Sequence, residues 1–412
     1  MPSFEPTAQA AQLCLDRVQP DDYARTRNSL DGAVTRLSPY ITHGFLNLTD
    51  VYAAVHARHP LHPKHKLVFE LGWRAYFRHV WAHLGDGIVQ SLHTGLLPDD
   101  SYQAEMPTDV LTARTGIPAI DLTVRELYET GYVHNHARMW LASYLVHLRK
   151  VHWHAGAQWM LGHLLDGDLA SNHLSWQWVA GTSSSKPYLF NADNVASYAP
   201  RLWHSPGSAI DVSYELMDTL ARGTQPICSQ QDARRADDGV AAPDLCGSPL
   251  ESRSDGLWCA PTASSQQHLA GRDVWLHHPW SLGTGPTTLA TDVLRIGVGI
   301  ENCHSQTPWN QRRWDFVTLG LRAQTHPLFT LWWGSVEHIA EALKSAKSVH
   351  WQPDPHIDPA LARLQTLLHA IDPHCVTGPH STLSLFEPVN TYCRSFSEWW
   401  KRTGINDAHT TG

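Results

Sequence analysis

The apolar periodicity of this chain changes character twice, and those changes limit the folds open to it. Up to about residue 200, stretches 66–84, 119–130, 135–150 and 155–166 carry apolar residues at threes and fours, broken by Gly, Pro, Asp and Asn. Strand-like alternation is almost absent there. From about 205 to 270 the chain is rich in Ser, Gly, Pro, Gln and Asp, which reads as linker or loop. From 271 a third pattern begins. Asp273–His277, Leu294–Ile300, Leu328–Trp333 and Ser348–Trp351 read as short buried strands, and 309–323 and Ser335–Ala346 as helices. Alternating strands and helices predict an α/β layer on a parallel sheet. No internal repeat is visible. The expected division is an all-helical domain over 1–204, a loop-rich connector over 205–270 and a smaller α/β domain over 271–412.

Composition narrows the function classes. An apolar content of 42% excludes wholesale disorder. A net charge of −8 excludes a uniformly basic nucleic-acid binder and leaves room for a local basic rim. No run of eighteen apolar residues exists, and Met1–Val18 lacks a basic start followed by an apolar block, so neither a membrane span nor a signal peptide is expected. The 7 cysteines are scattered, with no C-x-x-C pair. Reduced thiols in the cytoplasm are expected, without a disulfide framework, zinc ribbon or iron–sulfur site. The unusual feature is 18 Trp against 9 Phe, together with 28 His.

Several motifs read as structural. Gly283-Thr-Gly285 and Gly297-Val-Gly299 do not complete a dinucleotide loop and are expected as turn or strand glycines. His147, His152, His154 and His163 lack a framing ligand set and are expected on helix surfaces. Thr35–Gly44 places Thr35 and Ser38 hydroxyls around a Pro suited to a helix start; anion binding and plain capping by Ser38 explain it equally well. In Glu70–Arg78, helical spacing puts Glu70, Trp73, Arg74 and Phe77 on one face. An unpaired carboxylate makes a costly core stripe, and an intrahelical Glu70–Arg74 pair is the plain alternative. Asn135, Arg138 and Met139 share another face. Leu165–Trp178 contains Asp166, Asp168, Asn172 and two Trp within fourteen residues, with a helix break at Gly167, and Arg138 is a natural partner for Asp166. Such a set suits a cavity for a large, flat, polar-edged aromatic cofactor.

Taken in order, Thr35–Gly44, Glu70–Arg78, Thr115–Asp121, His134–Met139 and Asp166–Trp178 resemble the flavin-binding domain of the DNA photolyase/cryptochrome family over roughly residues 20–200. The fold class that follows is multidomain: an all-helical FAD-binding domain, then a smaller Rossmann-like α/β domain. By resemblance, Tyr23, Thr35, Arg36, Leu37 and Ser38 would hold the diphosphate and ribityl region of FAD, with Arg74 adding charge. Asp166 and Asp168 would line the polar edge of the flavin ring, Arg138 would pair with Asp166, and Asn172 would face the flavin N5. Val34 stands where the family has Thr, which removes one hydroxyl.

The resemblance also implies a substrate. Glu70, Asn135, Met139, Trp73 and Trp178 occupy the positions that hold a cyclobutane pyrimidine dimer in the family's repair enzymes, whereas enzymes acting on (6-4) photoproducts carry His in place of Asn135 and Met139. Flat indoles suit a flipped-out dimer, and Glu70 and Asn135 suit its base edges. The implied activity is a deoxyribodipyrimidine photo-lyase acting on damaged DNA by electron transfer from excited reduced FAD; the alternative is a cryptochrome-like blue-light receptor without repair. Trp176 and Trp153 match the proximal and middle members of the family's photoreduction chain. Its surface member falls near Asp100, so either Trp140 or Trp159 substitutes or photoreduction is slower. The α/β pattern follows the flavin domain, whereas the family places an antenna domain before it. A permuted or degenerate antenna-like domain and an unrelated appendage both remain open, and the resemblance assigns no second chromophore. The closing Trp399-Trp400 pair is expected in the core.

Overall fold

The computed structural model describes residues 4–227, 232, 238–252, 256–286, 288–304, 307–380 and 384–406. The helical periodicity is realised as helices Lys66–Leu84, Pro118–Thr130, Asn135–Ser143, Trp153–His163 and Leu169–Ala180. The 135–150 stretch does not stay α-helical throughout: a π turn over Tyr144–Leu148 ends it. Pro118 starts its helix, where a missing N–H costs nothing, and Gly131 at φ 68° ends it.

Among the described residues eight short strands follow: β1 Leu245–Cys246, β2 Trp258–Cys259, β3 Asp273–His277, β4 Leu294–Ile300, β5 Trp309–Asn310, β6 Leu331–Gly334, β7 Ser348–Trp351 and β8 Val376–Pro379. β1 and β5 form an antiparallel ribbon. The other six form a parallel sheet in the order β2-β6-β4-β3-β7-β8. Helices Gln311–Gln324, Val336–Leu343 and Asp358–Ile371 supply the later crossovers. The connector is thus partly structured: it holds helix Tyr214–Arg222, and its last part adds β2 and helix Ala263–Leu269 to the α/β layer. Strand order reverses between β3 and β7, which makes their carboxyl ends the switch point where such sheets open a crevice. This crevice is filled by the chain itself. Trp280, just after β3, lies between His356 (ring centroids 4.7 Å, 5°) and His304 (5.4 Å, 1°). From Trp280 the indoles continue in ring contact through Trp309, Trp314 and Trp333. These rings and Trp275 and Trp332 are buried, so much of the tryptophan excess is α/β core.

The apolar cores do not divide where the sequence does. One unites the N-terminal helices through Trp81 with the sheet and the C-terminal segment, and includes Leu165 and Leu174. The other is purely helical, from Val110 to Met217. A cleft opens between them, lined from the first side by Leu67 and Leu71 and from the second by Val133, Met160 and Val179.

Candidate functional site

Three helices present the polar groups of this cleft. Lys66–Leu84 supplies Glu70, Trp73, Arg74 and Phe77, the face predicted by helical spacing. Asn135–Ser143 supplies Asn135, Arg138 and Met139, with the Asn135 Nδ2 donating to Met139 Sδ at 3.3 Å. The break at Gly167 lets Asp166 and Asp168 face the cleft before helix Leu169–Ala180 begins, and that helix adds Asn172 and Trp176. Tyr23, Thr35 and Ser38 close the remaining side, and the cavity holds about 320 Å³.

The two aspartates are held differently. Asp166 accepts from both sides: Arg138 Nη2 donates to its two oxygens at 2.8 and 3.0 Å, and Ser38 Oγ donates at 2.6 Å. Ser38 is therefore not a cap; the short helix it begins is preceded by Leu37 with no side-chain capping bond. Asp168 has a fully buried side chain and caps its helix by accepting from Ser171 N–H at 2.8 Å. Its other oxygen accepts from Arg78 and lies 3.6 Å from Arg74. Burial alone would raise the Asp168 carboxyl; the Arg78 and Arg74 guanidiniums overcome it and hold the group well below the carboxylate range. Arg78 also donates to Asp354 at 3.2 Å, and Asp354 accepts a hydrogen bond from His356 Nδ1 at 2.6 Å. His356 Nε2 in turn accepts from Leu169 N–H at 3.1 Å, which fixes a neutral ring with its proton on Nδ1. The α/β domain thus reaches the cleft wall through Asp354 and His356. Sequence reasoning missed both, because nothing local to 354–356 marks them.

Glu70 pairs with Arg27 at 2.8 Å, not with Arg74. Arg74 donates instead to Thr42 Oγ1 at 3.1 Å. Burial raises the Glu70 carboxyl, and Arg27 and Lys66 oppose the shift.

Residues 67–202 match the family model described as the FAD-binding domain of DNA photolyase. Those residues are similar to the flavin-binding part of the DNA photolyase/cryptochrome family. A deoxyribodipyrimidine photo-lyase of Synechococcus sp. is 33% identical over 44% of this chain and 39% of its own. Cryptochrome DASH of Gloeobacter violaceus is 33% identical over 39% and 34%. A photo-lyase of Streptomyces griseus is 30% identical over 52% and 50%. The chain therefore spans half or less of the length of these relatives. A solved Synechocystis cryptochrome aligns over 55% of this chain and 54% of that one, with 25% identity and a TM-score of 0.43.

The donors present fit the FAD that this photolyase-type domain binds. The Thr35 hydroxyl and the Arg74 guanidinium suit phosphate oxygens, while Asp166, held by Ser38, and Asp168 and Asn172 offer a polar rim beside apolar walls. Other expected residues lie elsewhere. Arg36 (φ 54°) lays its guanidinium against the Phe4 and Tyr132 rings, 5.4 and 5.1 Å away, and Leu37 is buried in the core. Asn172 Nδ2 donates to Ala157 O at 2.9 Å, which fixes the orientation of the amide. Trp178 is 39% exposed beside Tyr188, outside the cleft lining. Trp153 is buried and donates to Ser91 Oγ. Trp140 and Trp159 are core rings that donate to Asn194 and Tyr128, so neither supplies a surface indole. His147 and His163 are buried, contrary to the helix-surface expectation; His147 Nε2 bonds Val179 O at 2.9 Å. No group of metal-ligating side chains forms among the described residues.

Trp176 seats against Gly156, where a Cβ would come within 2.4 Å of the indole. Gly156→Ala is expected to lose about 1–3 kcal/mol despite the better helix former, because a buried ring cannot swing away. A urea melt measures it, and an unchanged midpoint would show that the indole relocates freely.

Proposed function

We propose that this protein repairs cyclobutane pyrimidine dimers in DNA under blue light. The observation that supports it is the convergence of Glu70, Trp73, Asn135 and Met139 on the cleft that also holds Asp166, Asp168 and Asn172. A dimer in that cleft would lie between groups that bind bases and groups that bind a flavin. Bound and reduced, FAD would lend the electron that opens the cyclobutane ring and take it back once the ring has split. Trp73 gives the flipped-out bases an apolar wall that excludes water. The Asn135 amide donates to the base edge where negative charge develops, and the Glu70 carboxylate, kept in place from behind by Arg27, accepts from a base N–H. Arg74, Arg78 and Arg138 offset the two buried aspartates, so the cofactor's polar rim is rigid before light arrives.

Relatives named photo-lyase and cryptochrome DASH match at comparable identity, which keeps a receptor role as the second reading. Purified, FAD-loaded protein under blue light with a dimer-containing oligonucleotide separates them: restored thymines are expected, and their absence with bound, reduced flavin favours the receptor. Glu70→Ala should lower repair yield about tenfold, the worth of one charged hydrogen bond, while FAD stays bound. Loss of FAD from that variant would place Glu70 in the cofactor site instead.

A further inference from the structure

The outer side of the Lys66–Leu84 helix is covered by the chain's own C-terminal segment, which lies outside the residues matched to the family. The contacts run the length of the helix. Trp400 stacks on Phe69 (4.4 Å, 23°) and sits where a Cβ on Gly72 would fall, 2.4 Å away. Tyr76 OH donates to Cys393 O, Cys393 N–H donates to His79 Nε2, and His83 Nε2 lies 3.3 Å from Asn390 O. Midway, Phe396 lies flat on Trp73, with ring centroids 4.1 Å apart and planes 10° from parallel. Phe396 is buried and is itself packed on Trp400 and Trp399. Trp73 still lines the cleft, so one face of its indole is closed by the C-terminal segment.

We propose that Phe396 is a positioning residue for Trp73, through which the C-terminal helix Phe396–Arg402 fixes the aromatic wall that receives a pyrimidine dimer. The proposal rests on the repair reading above. An indole on one helix has a second rotamer available unless something fills the space behind it. Phe396 fills that space with a parallel ring, and Tyr76 and Phe77 hold the indole edges. The wall stays in register because the whole segment is clamped to the helix at Phe69, Tyr76 and His79.

The test uses full-length, FAD-loaded protein and two oligonucleotides, one with a thymine dimer and one intact. Phe396→Leu keeps the apolar volume and removes the stacking. It should keep FAD and lose about fivefold of the preference for the dimer, the worth of one aromatic pair. Phe396→Tyr should restore it. Adding Phe396→Leu to Trp73→Phe should cost nothing further, since both remove one interaction. Phe386→Leu, in the same cluster but without contact to Trp73, should keep the preference. Independent losses for Phe396→Leu and Trp73→Phe, or an unchanged preference in Phe396→Leu, would overturn the proposal. A readout without DNA separates the two claims. In fluorotryptophan-labelled protein, the ¹⁹F resonance missing from Trp73→Phe should move in Phe396→Leu and stay in Phe386→Leu. An immobile resonance refutes the positioning role. A shifted resonance in a protein that ignores dimers refutes the repair reading instead. If Phe396→Leu does not fold, Phe396→Met carries the same comparisons.

Discussion

Asp168→Ala is expected to lose about 3–5 kcal/mol of stability and to purify without FAD, because it strands buried guanidiniums without their counter-ion. Arg74 and Arg78 both face this one carboxylate, and Arg78 is the bridge to Asp354 in the α/β domain. The same change removes the cap of helix Leu169–Ala180, whose first turn would then expose an unsatisfied N–H at Ser171. Urea unfolding and the 450 nm flavin absorbance measure the two losses. A stable, yellow Asp168→Ala protein would show that Asp354 alone can hold both arginines.

The second large effect is acid lability. Burial lowers His43, His173 and His304 to about 3, and His134, His147, His163 and His277 to about 4. In the unfolded chain these rings titrate near ~6.5. Between the two values the unfolded chain binds protons that the folded chain refuses, so stability is fully present above about 6.5 and falls as pH drops below it. Each ring can remove up to about 1.4 kcal/mol per pH unit. Against a total of about 5–15 kcal/mol, the fold should fail before the rings reach their own folded values. Asp168 acts in the same sense at lower pH, since its depressed carboxyl stabilises only above the ordinary carboxylate range. Urea midpoints at pH 7.5, 6.5 and 5.5 should fall modestly over the first step, a loss of up to about 0.4 kcal/mol per ring, and steeply over the second, a loss of about 1 kcal/mol per ring. A level profile throughout would mean that the folded protein admits these protons.

What could be read in the sequence was whatever is local. Helix 66–84 and its Glu70, Trp73, Arg74, Phe77 face follow from spacing, as does the break at Gly167 that turns Asp166 and Asp168 toward the cleft. β3, β4 and β7 were legible because each is a short apolar run. Partners distant in sequence were not. Glu70 could satisfy its charge with Arg74 one turn away, yet it takes Arg27, since Arg74 is drawn toward Asp168 and Thr42. Arg36 and Leu37 were expected at the cofactor by resemblance, and what the sequence did not show is that the Leu37 side chain packs in the core while the Arg36 guanidinium, on a left-handed backbone, lies against two aromatic rings. Trp178 follows Trp176 by two residues, which on a helix places it round the far side, in solvent. The boundary expected at 204 did not show that the N-terminal helices share an apolar core with the sheet, a contact between segments distant in sequence. His147 and His163 were misplaced for a related reason: a histidine whose ring bonds a buried carbonyl or amide is as acceptable in a core as on a surface.

Because the α/β layer follows the helical one, the clasp around Arg78 has an order in time. Asp168 leaves the ribosome long before Asp354 and His356, by roughly 10–40 s at about 5–20 residues per second. During that interval Arg78 has one carboxylate, Leu169 N–H has no acceptor on His356, and the apolar sides of the first helices wait for the sheet that will cover them. A nascent chain halted between these residues would present an open, sticky half-cleft, which makes translation speed through the second half a determinant of how much protein survives to take up its flavin.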